Sequence, residues 1–102
     1  MKIIKTRRVE KEKNAEEVRE TAKEFGLMLG RKLPWYEGMK ECYSLLFKGW
    51  RSRFSPQASI LIGSDRSIEI VIPSEDFMPA VENLGKKLEE GFWEVVIKKD
   101  YI

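Results

Sequence analysis

The sequence contains no histidine and a single cysteine, Cys42, among its 102 residues. A serine or cysteine nucleophile needs a neighbouring base to take its proton, most often histidine, so the familiar triads and dyads are excluded. Zinc sites recruit several Cys or His side chains, which this chain cannot supply. One cysteine forms no internal disulfide, and nothing asks for an oxidising compartment. Cys42 reads as a small core residue. Long apolar runs are also missing: none approaches the ~20 residues needed to span a bilayer. The opening MKIIKTRRVEKEK is basic but has neither the apolar stretch nor the small-residue cleavage site of a secretory signal, so a cytoplasmic location is expected. No Walker loop and no Gly-x-Gly-x-x-Gly turn after a strand appears, and there is no internal repeat, low-complexity tract or linker. No cofactor or metal is expected.

What is present fits one small folded unit, residues 1–102. Apolar residues make up 42% of the chain and recur at regular spacing, the pattern of a packed core rather than of disorder. Charged residues reach 35%, whereas Asn14, Asn83 and Gln57 are the only side-chain amides. That balance fits proteins of hot environments, where surface ion-pair networks are favoured.

Residues 2–9 (KIIKTRRV), rich in β-branched types, predict an opening strand. Asn14 with Glu17 three positions on forms a capping-box pattern, and Val18, Ala22, Phe25 and Leu29 recur as one helical stripe. Gly30 is the expected C-cap glycine, with Gly26 weakening the last turn. Residues 34–54 admit two readings. Pro34 can open a helix with Trp35, Met39, Tyr43 and Leu46 buried, or residues 42–54 can form a long strand bulged at Gly49. The preferred reading is a short helix or irregular segment, then strand from Phe47 to Phe54. Ile60 and Ile62, then Ile68, Ile70 and Ile72, alternate around Gly63-Ser64-Asp65-Arg66 and predict a β-hairpin with one buried face, ended by Pro73. Ser74 or Asp76 can cap a second helix starting near Met78, where Pro79 is tolerated, with Val81, Leu84 and Leu88 buried. Gly91 stops it, and residues 92–98 (FWEVVIK) predict the last strand.

With 34–54 set aside as an extra aromatic and basic segment after the first helix, the order is β-α-β-β-α-β. It resembles the ferredoxin-like α+β two-layer sandwich in element order alone.

Carboxylates are plentiful, and Glu75-Asp76 is the best pair for acid–base work or magnesium. Both, like Glu16-Glu17, sit where a helix start favours negative charge, which is the simpler account of them. A histidine-free hydrolase built on Glu, Tyr and Arg has no marker here, so no catalytic residue is assigned.

The distribution of charge is more informative than its total of +2. Residues 1–13 and 31–58 each hold six basic and two acidic residues, whereas residues 59–90 hold three basic and seven acidic. The middle segment interleaves its cations with aromatics: Trp35, Tyr36, Tyr43, Phe47, Lys48, Trp50, Arg51, Arg53 and Phe54. Rings that stack on unpaired bases beside cations that neutralise phosphates are what single-stranded nucleic acid needs. The expected function is therefore binding of single-stranded DNA or RNA. Arg7, Arg8, Lys48, Arg51 and Arg53 would meet phosphates, and Trp35, Tyr36, Trp50 and Phe54 would stack. The same enrichment typifies interface hot spots. The alternative is a protein-interaction module or a homodimeric accessory or regulatory subunit without catalysis. The aromatics also suit an ordinary core.

Overall fold

In the computed structural model of the protein, residues 2–33, 40–47 and 58–100 are described, with side chains described for residues 13–33, 41–46 and 58–100. The elements are helix α1 (Lys2–Lys23), strands β1 (Leu27–Lys32), β2 (Lys40–Phe47), β3 (Ala58–Gly63) and β4 (Ser67–Ile72), helix α2 (Met78–Glu90) and strand β5 (Glu94–Lys99), with one 3-10 turn at Glu75–Phe77. They form an α+β domain in which one five-stranded mixed sheet runs in the order β1-β2-β3-β4-β5. The first four strands are an antiparallel meander, and β5 lies parallel to β4. A parallel neighbour cannot be reached by a tight turn, so α2 makes the crossover.

The opening strand expected at residues 2–9 is instead the first part of α1, and Arg7 and Arg8 are helical. Four β-branched residues, Ile3, Ile4, Thr6 and Val9, carried the strand reading, but Lys, Arg and Glu dominate the segment through residue 13 and are among the better helix formers. The element order is thus helix, four strands, helix, strand, and it departs from the ferredoxin-like order expected. The helix also stops earlier than expected. Gly26 takes the left-handed conformation (φ +75°) just beyond it, as a C-terminal glycine does, so Gly30 is not the cap. Leu27 and Leu29 then bury alternate positions of β1. Leu29 lies four residues after Phe25 and so fitted the helical stripe, but Phe25 is in the turn and Leu29 shares the buried face of β1 with Leu27.

The segment 40–47 is strand and pairs on both sides, which corrects the helical or irregular reading of Tyr43 and Leu46. Its partner β1 is irregular between Leu29 and Lys32, where Gly30 lies so close to Ser44 that an added Cβ would collide with the Ser44 hydroxyl. The β3–β4 hairpin has the expected buried face, with Ile60 opposite Ile70 and Ile62 opposite Ile68. Helix α2 begins at Met78 with Pro79 in its first turn, as expected. Ser74 makes no side-chain capping bond, and the residue at the N-cap of α2 is Phe77.

Both helices lie on one face of the sheet. Ala15, Val18 and Ala22 of α1 and Val81, Leu84 and Leu88 of α2 join one buried cluster. The sheet contributes Leu27, Leu29, Tyr43, Leu45, Ile60, Ile62, Ile68, Ile70 and Ile72 to the same cluster. Ile60, Ile70 and Ile72 are wholly buried. Each such side chain contributes roughly 1.5–3 kcal/mol by leaving water, and this two-layer core fixes where the loops and strand edges emerge.

Candidate functional site

Among the described residues two non-glycines, Arg66 and Phe92, have positive φ, both +65°. In the β3–β4 hairpin, Asp65 turns the chain: its Oδ1 accepts hydrogen bonds from the Ser67 backbone N–H (3.2 Å) and hydroxyl (2.6 Å). Arg66 N–H donates to the Gly63 carbonyl, and the residue after such a turn is usually glycine because it must be left-handed. Phe92 follows α2. Its N–H donates to the Glu89 carbonyl and that of Trp93 to Leu88, the paired bonds of a Schellman motif whose left-handed position again favours glycine. Gly91, the expected stop, has φ −90° and so is not the left-handed residue.

These two strained positions meet. The Arg66 guanidinium lies 4.3 Å over the Trp93 ring, and its Nη2 donates to the Gly91 carbonyl at 2.6 Å. Its Nη1 pairs with Glu17 Oε2 at 3.1 Å, and that same oxygen accepts the Trp93 indole N–H at 3.0 Å. The Glu94 N–H closes back on the Arg66 carbonyl. Glu17, Arg66 and Trp93 therefore tie α1, the β3–β4 loop and the α2–β5 turn together. Beside them is an open groove of about 280 Å³, lined by Glu17 and Thr21 of α1, by Lys87, Leu88 and Glu90 of α2, and by Gly91 and Trp93. Phe92, next to it in the chain, is 90% exposed.

A second polar cluster lies on the core face of β2. Tyr43 donates its hydroxyl to Glu41 Oε2 (2.9 Å), and Glu41 Oε1 pairs with Lys32 at 3.4 Å. Burial pushes the Tyr43 pKa up to about 12, helped by the hydrogen bond to Glu41 and by that carboxylate's negative charge, while the Arg19 cation opposes the shift. The crevice beside it, between Asn14, Glu41 and Ser64, has no room for water.

Chemically, both clusters are cross-links. The Glu17 carboxylate is committed to a cation and an indole. Among the described residues no three His, Cys, Asp or Glu side chains converge on a metal-sized space. Glu75 and Asp76 are exposed in the turn before α2, and Glu16 pairs with Arg19.

Of the residues expected to bind nucleic acid, Arg7 and Arg8 are in α1. Trp35, Tyr36, Lys48, Trp50, Arg51, Arg53 and Phe54 lie outside the described residues. The described residues next to them in the chain, Lys40 and Phe47, are the two ends of β2, about 24 Å apart at strand rise. Sequence reasoning missed Glu17, Arg66 and Trp93 as a unit. One signal was present: an arginine where Gly63-Ser64-Asp65 calls for glycine, which implies that its side chain offsets the strain.

The class defined by these observations is a two-layer α+β domain with a meander sheet and one parallel edge strand. Comparison with family models, with curated proteins and with solved structures finds no match to the chain.

Proposed function

We propose that the protein binds single-stranded DNA or RNA through the basic and aromatic residues of the α1 N-terminal half and the 35–54 segment. The observation that carries this reading is the partition of charge across the fold. The acidic stretches 14–24 and 75–90, which hold nine carboxylates and four cations, cover the C-terminal half of α1 with the residue after it, and α2 with the turn that leads into it, and the two helices pack side by side on one sheet face. The positive charge is concentrated elsewhere. Six cations and two carboxylates occupy residues 1–13, at the end of α1 where the helix macrodipole is already positive and extra cations cost helix stability. An anionic ligand would reverse that cost. The interleaved Trp50, Arg51, Arg53 and Phe54 add stacking to neutralisation. Because the ends of β2 are about 24 Å apart, a ligand that used residues beyond both would be extended, which suits a single strand. A cytoplasmic setting agrees with this reading.

The test is fluorescence anisotropy of labelled single-stranded oligonucleotides at rising salt. Neutralising about four phosphates gives a slope of log K on log salt near −3. Arg51→Ala should flatten that slope by roughly one contact, and Trp50→Ala should weaken binding by ~1–3 kcal/mol. Absence of binding at low salt, or binding indifferent to salt and to both substitutions, would refute the reading.

A further inference from the structure

The two edges of the sheet are built differently. Edge strand β1 is broken by the irregularity at Gly30 and ends in exposed Arg31 and Lys32, features that discourage pairing with another chain. Edge strand β5 also ends in exposed lysines, Lys98 and Lys99, but has no such irregularity. Its register with β4 is unbroken from Ser67/Glu94 to Ile72/Lys99, and it exposes Val96 to 52%. The N–H groups of Glu94 and Asp100 donate to Arg66 and Ile72 on the β4 side. The two-residue period of a parallel ladder turns Val96 and Lys98 the same way, so the N–H and C=O groups of Val95, Ile97 and Lys99 point outward. Among the described residues, none pairs with that outer edge.

We propose that β5 is a homodimer edge, pairing antiparallel with β5 of a second copy about a two-fold axis through Val96. The sequence around Val96 is self-complementary in this register alone. Val96 faces its own copy, Val95 faces the partner's Ile97, and Glu94 faces the partner's Lys98. The outward-pointing backbone groups of Val95 and Ile97 then exchange hydrogen bonds in both directions, as a hydrogen-bonded antiparallel pair requires. Glu94 and Lys98 fall in the closer, non-hydrogen-bonded pairs on the opposite face, where opposite charges attract most. Lys98 already pairs with Glu69 at 2.7 Å and is 57% exposed, so its ammonium can serve both carboxylates. Moving the register by two residues sets Glu94 against the partner's Asp100, or against Val96, and loses this match.

A second observation agrees. A groove of about 230 Å³ runs between α2 and β5, bounded by Glu82, Gly85, Lys86, Glu89, Val95 and Ile97. In the dimer its apolar floor, Val95 and Ile97, becomes continuous with the partner's. The arrangement is isologous and closed, so it removes an exposed strand edge without creating a filament.

The proposal does not rest on nucleic-acid binding. It is tested by sedimentation equilibrium of the full chain from low micromolar to near-millimolar concentration. The native chain is expected to dimerise. Glu94→Lys or Lys98→Glu, each alone, should weaken self-association about tenfold through like charges brought opposite each other. An equimolar mixture of the two variants should restore it, because the heterodimer sets opposite charges at both sites. Ile97→Pro removes an outward N–H that β4 does not use and should leave a monomer. A native chain monomeric throughout the range would overturn the proposal, as would a dimer indifferent to the charge changes and their mixing. Far-UV circular dichroism identifies a proline variant that has lost its fold, in which case the charge variants decide.

Discussion

Replacing Phe92 with glycine is expected to stabilise the protein, although it deletes a large aromatic side chain. A left-handed backbone costs an L-residue about 1–2 kcal/mol relative to glycine. Phe92 is held at φ +65° by the Schellman bonds that end α2. Its side chain is 90% exposed, so little burial is lost on truncation. Against the relief stands the greater freedom of glycine in the unfolded chain, about 0.4–1 kcal/mol. The net gain is roughly 0.5–1 kcal/mol, or about 3–6 °C in melting temperature for a chain of this size. Phe92→Ala is the control: it removes the same ring and keeps the strain, so its stability should stay close to that of the native protein. Gly91→Ala should also be mild, because Gly91 has negative φ and an added Cβ comes no nearer than 3.4 Å to any neighbour. Urea unfolding followed by circular dichroism measures all three. A Phe92→Gly protein no more stable than Phe92→Ala would show that the left-handed position is not strained, and the reasoning would fail.

Three further outcomes follow from the same geometry. Arg66→Ala should cost about 2–3 kcal/mol, most of it from the charged hydrogen bond to the Gly91 carbonyl and the contact with Trp93. The partly exposed pair with Glu17 adds little. Arg66→Gly should lose the same contacts but recover about 1 kcal/mol of backbone strain, so equal losses in the two variants would refute the account. Gly30→Ala should destabilise by roughly 1–3 kcal/mol, because the new methyl meets the buried Ser44 hydroxyl. Adding Ser44→Ala should return most of that loss, and a cycle without coupling would argue against the contact. Tyr43 retains its proton in the folded state up to about pH 12, against an ordinary value of 10.0. Its contribution to stability is therefore intact below pH 10 and is lost as the pH rises from 10 towards 12. Titration at 295 nm should show one tyrosine ionising late, and Tyr43→Phe should abolish that late phase. Three tyrosines all titrating near 10 would contradict it.

The elements most legible from sequence were those whose local period had no rival. The Ile60/Ile62 and Ile68/Ile70/Ile72 alternation defined a hairpin with one buried face, and Pro79 with Val81, Leu84 and Leu88 located α2. The failures arose where two local readings were nearly equal in energy. At residues 2–9, β-branched residues competed with helix-forming Lys and Arg, and the helix prevailed. At 27–29, Leu29 fell on the helical stripe that starts at Val18, whereas Leu27 and Leu29, two apart, fit a strand. The left-handed Gly26 and the pairing of β1 with β2 decided the matter.

Composition alone excluded histidine chemistry and an internal disulfide, and the order of residues partitioned charge into acidic and basic stretches. Only the tertiary structure could bring both helices onto one sheet face, because that depends on which face each strand buries. Only it could join Glu17, Arg66 and Trp93, residues as much as 76 positions apart, into one cross-link. Likewise, Glu94-Val95-Val96-Ile97-Lys98 is an ordinary alternating segment in the sequence. It becomes a sheet edge because β4 uses the hydrogen-bonding groups on one side of the strand and, among the described residues, none pairs with the other side.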